Sequence, residues 1–119
     1  MLLHQVAQHV EDLDRAVAFY RDTLGAELIE RFDPPGLAFF RLGETRLLLD
    51  AAAPVALLYL RVNDVRKRVA SLRVQRVEIV TEPHVIFTDE RGLFHDPGTE
   101  EWMAFFVDSE GNTVGLASV

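Results

Sequence analysis

VAQHVEDLDRAV (residues 6–17) and LYLRVNDVRKRV (residues 58–69) decide the fold, because the chain states the same unit twice. Each is a strand ending in Val, then a polar residue, then Asp, then an amphipathic helix. Val10-Glu11-Asp12-Leu13 maps onto Val62-Asn63-Asp64-Val65 at an offset of 52 residues. Further on, Phe39-Phe40 precedes Gly43-Glu44-Thr45, and Phe105-Phe106 precedes Gly111-Asn112-Thr113, at an offset of 66 to 68. A chain built from two copies of one unit puts its ligand where the copies meet. The repeat is therefore a map for comparing site positions.

Each copy reads as strand, helix and three strands. In the first, Asp12 caps a helix over 13–24 whose apolar stripe is Leu13, Ala16, Val17, Tyr20 and Leu24, and Gly25 stops it. Strands follow at 27–33, 37–41 and 46–50, the last two joined by Leu42-Gly43-Glu44-Thr45. Ala51-Ala52-Ala53-Pro54 reads as a linker. In the second copy a strand over 55–62 leads to a helix over 65–73, capped by Asn63 or Asp64. Gln75 and Arg76 stand where the first copy has its glycine. A strand begins at Val77 and runs towards Phe87, and 101–107 and 113–117 form the closing pair. Strand-rich halves with one helix each predict an α+β fold: two βαβββ modules, 1–52 and 53–119, forming a curved mixed-sheet cup with helices outside, as one domain. The second copy carries 16 extra residues, mostly within 81–99, which include His84 and His95. Long loops in compact domains are often functional.

Composition narrows the partners. The net charge of −7 argues against nucleic acid, which needs a basic surface. The basic residues Arg66, Lys67, Arg68, Arg73 and Arg76 read as the solvated face of the second helix. No apolar run approaches the ~20 residues of a membrane span, and MLLHQVAQH does not read as a secretion signal, so a cytoplasmic location is expected. There is no Cys, which excludes disulfides and thiolate metal sites. Gly-rich phosphate loops and Gly-x-Ser-x-Gly elbows are absent too.

HQVAQHVEDLDRAVAFYRDTLG (residues 4–25) resembles the opening strand and helix of the vicinal oxygen chelate superfamily, the glyoxalase, bleomycin-resistance and dioxygenase group. FFVDSEGNTVGL (residues 105–116) resembles its closing hairpin, and the twofold βαβββ repeat is its architecture. The resemblance implies a cup that holds a divalent metal through His, Gln or Glu on the first and last strands of each copy. Carried onto this sequence, those positions are Gln5 and Leu57, five residues before the Val that precedes each helix, and Leu47 and Gly115, four residues after each turn Gly. Gln5 is the single ligand-type residue retained, so no metal site is assigned and a divalent metal stays an open alternative.

Strand parity puts Leu3, Gln5, Ala7 and His9, and Leu57, Tyr59 and Arg61, into the cup. Arg61 is either a carboxylate clamp or a rim Arg paired with an acid. His9 and His84 are candidate proton-transfer groups, and Tyr59 a candidate acid. His4 points away, and His95 falls in an exposed loop. Glu100 or Glu101 faces the cup; one of each Phe pair does so as well. The catalytic candidates are therefore His9, His84 and Tyr59, with Gln5, Leu57, Arg61, Glu101 and Gly115 binding substrate.

The expected function is binding of a small organic molecule, anionic if Arg61 engages it, without the usual metal. Two alternatives stay open. One is a metal-dependent glyoxalase-like lyase, isomerase or dioxygenase with ligands relocated among Gln5, His9, His84 and Glu100 or Glu101. The other is a resistance protein that sequesters a drug. A homodimer is expected; neither nucleic acid nor membrane is a partner.

Overall fold

The computed structural model describes residues 1–119. The elements are β1 (Gln5–His9), α1 (Leu13–Ala18), β2 (Glu27–Phe32), β3 (Leu37–Leu42), β4 (Thr45–Asp50), β5 (Leu58–Arg61), α2 (Val65–Val74), β6 (Ile79–Asp89), β7 (Thr99–Val107) and β8 (Thr113–Ser118). They form two four-stranded sheets in the orders β1-β4-β3-β2 and β5-β8-β7-β6. In each, the first strand runs parallel to the last strand of its module and the remaining pairs are antiparallel. This is an α+β chain of two modules with one strand order. None of its helices is long and apolar enough to cross a membrane.

The chain divides into two compact units. The first comprises Met1–Ala56 with Ser109–Asn112, and the second Leu57–Asp108 with Thr113–Val119. The β7–β8 loop is thus counted with the first module rather than with the strands it connects.

The helices form where the caps dictate. Asp12 accepts from Arg15 N at 3.1 Å, and Asp64 from Arg66 N at 2.9 Å and Lys67 N at 3.2 Å, which satisfies first-turn N–H groups. α1 continues as a π-helical turn over Phe19–Thr23, where Leu24 N reaches back to Phe19 O at 3.0 Å. Gly25 then leaves the helix at φ 75°. After α2 the same left-handed exit is made by Arg76, at φ 63°. A side chain there costs about 1 kcal/mol relative to glycine.

Each helix covers one face of its own sheet. In the first unit the covered residues are Val10, Ala16, Val17, Tyr20, Ala38, Phe40, Leu47 and Leu49, all buried. In the second they are Leu58, Val65, Val69, Leu72, Ala104, Phe106, Val114 and Leu116. The expected outer basic face of α2 is partly engaged within its unit. Arg66 stacks over Trp102, 4.5 Å from the ring centre, and Arg73 pairs with Glu82.

Candidate functional site

The face of each sheet opposite its helix carries the candidate residues, and strand register states which ones share it. On the first sheet one row is Gln5–Arg46–Arg41–Glu27 and the next is Ala7–Leu48–Phe39–Glu30. His9 and Asp50 stand opposite one another in the row beyond. On the second sheet the rows are Tyr59–Gly115–Phe105–Thr81 and Arg61–Ala117–Met103–His84, with Glu101 opposite Phe87. Phe39 and Phe105 lie on these open faces, while Phe40 and Phe106 are buried on the helix sides.

One assignment is corrected. Leu47 is on the helix side, 1% exposed, and Leu48 takes the open face opposite Ala7. The two hairpins differ: Leu42 pairs with Thr45, but Val107 pairs with Thr113. Gly43 therefore opens a two-residue turn, whereas Gly111 is fourth in a five-residue loop. The same count from glycine ends on opposite faces. Leu48, not Leu47, corresponds to Gly115, and it offers no metal donor either.

Gly115 sits beneath an aromatic pair. A Cβ there would lie 2.8 Å from Tyr59 Cδ1 and 3.0 Å from Phe105 Cε1. Its missing side chain lets the two rings meet edge to face, 5.8 Å apart at 80°. Tyr59 and Leu57 are each 53% exposed. Arg61 is exposed at the end of β5.

The histidines differ in what they can do. His9 Nδ1 lies 3.1 Å from Ala53 O and Nε2 lies 2.8 Å from Glu11 Oε1. Both neighbours only accept, so the two contacts favour the protonated ring, in which both nitrogens donate. The Glu11 hydrogen bond accordingly raises its pKa. Both ring nitrogens of His9 are thus engaged within the first unit. His84 instead donates from Nδ1 to Glu82 O at 2.9 Å, and its Nε2 makes no hydrogen bond within the chain.

His95 is drawn back rather than projecting from a free loop. Asp89, fully buried, accepts from the backbone N–H of Leu93 at 2.7 Å, Phe94 at 2.8 Å and His95 at 2.7 Å. Burial pushes the Asp89 pKa up, but these three donors lower it overall. The loop they shape brings His95 Nε2 to 3.6 Å from Glu101 Oε2, each side chain 21% exposed. Phe94 meets Phe87 beside them, with ring centres 6.0 Å apart. Glu101 thus has a local partner on the open face. Glu100, opposite Thr88, points the other way.

Sequence reading passed over a cleft of about 280 Å³ on the first sheet, lined by Ile29, Glu30, Phe32, Phe39 and Arg46. A bulge between Leu28 and Glu30 displaces Ile29 into it. Arg46 Nη2 donates to Gln5 Oε1 and to His4 Nε2, both at 2.9 Å, and the guanidinium lies 5.5 Å from the Phe39 ring centre. The shortness of the Gly43-Glu44 turn was the signal available for Arg46, since it sets that residue opposite Gln5.

The donor set does not fit the metal centre that the resemblance implies. Of Gln5, Leu48, Leu57 and Gly115, Gln5 alone carries a donor, and that oxygen already accepts from Arg46. No group of three or more His, Asp or Glu side chains is placed to hold an ion.

Three solved structures show how widely this fold is shared. Lactoylglutathione lyase from Agrobacterium tumefaciens superposes with a TM-score of 0.72 at 24% identity, over 98% of this chain and 92% of that one. TnmS3, an antibiotic binding protein from Streptomyces sp. CB03234, gives 0.78 at 22%, over 99% and 95%. A glyoxalase/bleomycin resistance protein/dioxygenase superfamily member from Sphaerobacter thermophilus gives 0.78 at 20%, over 100% and 98%. At these identities the likeness is one of fold. No curated protein matches the sequence. A family model matches residues 2–116, and the chain belongs to the Glyoxalase/Bleomycin resistance protein/Dioxygenase superfamily.

Proposed function

We propose that this chain is a small-molecule binding member of its superfamily that works without the divalent metal centre. The observation that carries the reading is the content of the positions that the resemblance marks for metal ligands: Gln5 and Leu48 on the open face of one sheet, Gly115 on that of the other, and Leu57 just before β5. Four positions that would supply oxygen or nitrogen donors supply one, and the faces around them are walled by Phe39, Phe105, Tyr59 and Phe87. Aromatic walls with a few polar groups suit a small organic ligand. Arg61 and His84 supply a cation and an imidazole on the second sheet, Tyr59 a hydroxyl, and Glu101 a carboxylate.

Metal analysis tests this directly. Protein loaded with excess zinc, nickel or manganese and then dialysed is expected to retain substoichiometric metal. Stoichiometric metal that is lost in His84→Ala would overturn the reading. A thermal-shift screen supplies the positive arm, because a ligand at a hundredfold its Kd stabilises the native state by about 2.7 kcal/mol.

We further propose a homodimer. Val55, Val80, Ile86, Leu93 and Phe94, none of them assigned to the ligand, are large apolar side chains between 48% and 72% exposed. Apolar surface of this kind favours burial against a second copy. Light scattering at micromolar concentration is expected to report twice the 13.4 kDa chain mass. A species of single-chain mass would contradict the dimer.

A further inference from the structure

We propose that the cleft on the open face of the first sheet is the subsite for a planar aromatic carboxylate. Arg46 binds the carboxylate, and Phe39, Phe32 and Ile29 wall the ring. This rests on the small-molecule reading above and names the class of ligand.

The first argument is charge. In this acidic chain Arg15, Arg21, Arg31, Arg41, Arg66 and Arg73 each lie within 4.0 Å of a carboxylate. Arg46 does not, nor do Arg61, Arg76 and Arg91; Arg46 is set apart because the Gln5 amide oxygen and His4 Nε2 hold it beside the Phe39 ring. A guanidinium only donates, so His4 Nε2 is the acceptor in this contact. The charge of Arg46 is held in place without being cancelled. Both hydrogens of Nη2 are used in holding it. The Nε–H and the two Nη1–H groups make no hydrogen bond within the chain and are available to an anion.

The second argument is the wall. Phe32 meets Phe39 edge to face, 5.9 Å apart at 83°, and Ile29 and Phe32 are 39% and 49% exposed. Exposed Phe32 and half-buried Phe39, set edge to face, offer an aromatic ligand a ring face and a ring edge. A cleft of about 280 Å³ is at the lower end of the range for ligand pockets, which suits one ring or two fused rings. Glu30 also lines the cleft, its Oε1 accepting from Arg31 N at 3.1 Å. Its negative charge disfavours a dianion and confines a single carboxylate to the Arg46 end.

Calorimetric titration of the full chain with 2-naphthoate and with neutral 2-naphthamide tests the assignment. The carboxylate is expected to bind about tenfold tighter, the effect of charge-assisted hydrogen bonding. Arg46→Met should abolish that preference and leave naphthamide binding unchanged. Arg46→Lys should restore part of it. Phe39→Leu should weaken both probes alike, and Arg61→Met, on the other sheet, neither. Amide shifts on binding should concentrate at Ile29–Phe32, Phe39 and Arg46, and unliganded melting of each variant verifies folding. Equal binding of the two probes, a preference that survives Arg46→Met, or no naphthoate binding would overturn the subsite. The wider reading falls separately, on the metal analysis: a different compound that stabilises the metal-free protein while naphthoate fails leaves the binder standing and removes this subsite alone.

Discussion

Glu110→Ala is expected to lower the unfolding free energy by about 3 kcal/mol, an effect in the range for breaking a buried charged contact. Glu110 lies in the β7–β8 loop, and its side chain has no exposed surface. Oε1 accepts from the backbone N–H of Glu11 at 2.8 Å and of Asp12 at 2.7 Å, the residues that lead into α1. Arg15 donates from Nε to Oε2 at 2.8 Å and from Nη2 to Oε1 at 3.1 Å; Ser109 Oγ donates to Oε2 at 2.8 Å. Truncation leaves two backbone donors without an acceptor and a guanidinium without its counter-charge. Arg15 is 53% exposed and can turn to water, which holds the loss to the lower end of that range. Asn112, in the same loop, donates to His9 O at 2.8 Å and gives the loop a second hold on the first unit.

The same contacts predict a pH dependence with a definite sign. Burial would raise the Glu110 pKa, but the Arg15, Asp12, Ser109 and Glu11 donors bring it down to about 2. A carboxylate depressed in the folded state contributes stability above its unfolded pKa, near 4.5, and loses it as pH falls through the folded value. The wild type should therefore lose about 3 kcal/mol between pH 6 and pH 2 through this group alone. Glu110→Gln, which cannot titrate, should lack that part of the slope. Urea unfolding at a series of pH values measures both. Parallel profiles for wild type and Glu110→Gln would refute the assignment.

Gln8→Leu is expected to destabilise by about 2–4 kcal/mol, although it makes the core more apolar. Gln8 is fully buried on the helix side of β1. Its Oε1 accepts from His9 N and Ala56 N, both at 2.9 Å, and its Nε2 donates to Ala56 O at 2.7 Å. The side chain acts as a short piece of backbone that ties the inter-module linker to the first strand. Leucine, the residue at the matching place in the second module (Leu60), would fill similar volume and leave three backbone groups unsatisfied. Chemical denaturation gives the magnitude. Hydrogen exchange gives the cause, since the amides of Ala56 and His9 should lose protection before neighbouring β1 amides. A Leu variant as stable as the wild type would show that water replaces the amide at no cost.

The candidate site was legible where it depends on local periodicity. The alternation of β1 and β5 correctly separates Gln5, Ala7, His9, Tyr59 and Arg61 from Val10 and Leu58. It fails at β4, because parity restarts after every hairpin and depends on loop length. That one count moved Leu47 to the helix side and brought Arg46 opposite Gln5. His95 was misplaced for a different reason. Its loop is shaped by buried Asp89, whose three acceptor contacts are made to backbone groups, and backbone donors leave no trace in residue identity.

By itself, the sequence determined the two-module repeat, the Asp12 cap, the helix-facing cores and the single donor-type residue, Gln5, among the positions that the resemblance marks for metal ligands. All of these follow from residue type at fixed spacing along the chain. Only the tertiary structure decided that Glu110 anchors the start of α1, that Gln8 binds the linker, that both nitrogens of His9 are engaged, and that Arg46 stands uncancelled over Phe39. Those outcomes depend on partners brought together from up to 99 residues apart, as Glu110 and the Glu11 amide are. Each is the solution to one physical demand, a polar group removed from water or a charge left beside an apolar wall, and chain folding rather than spacing selects its partner.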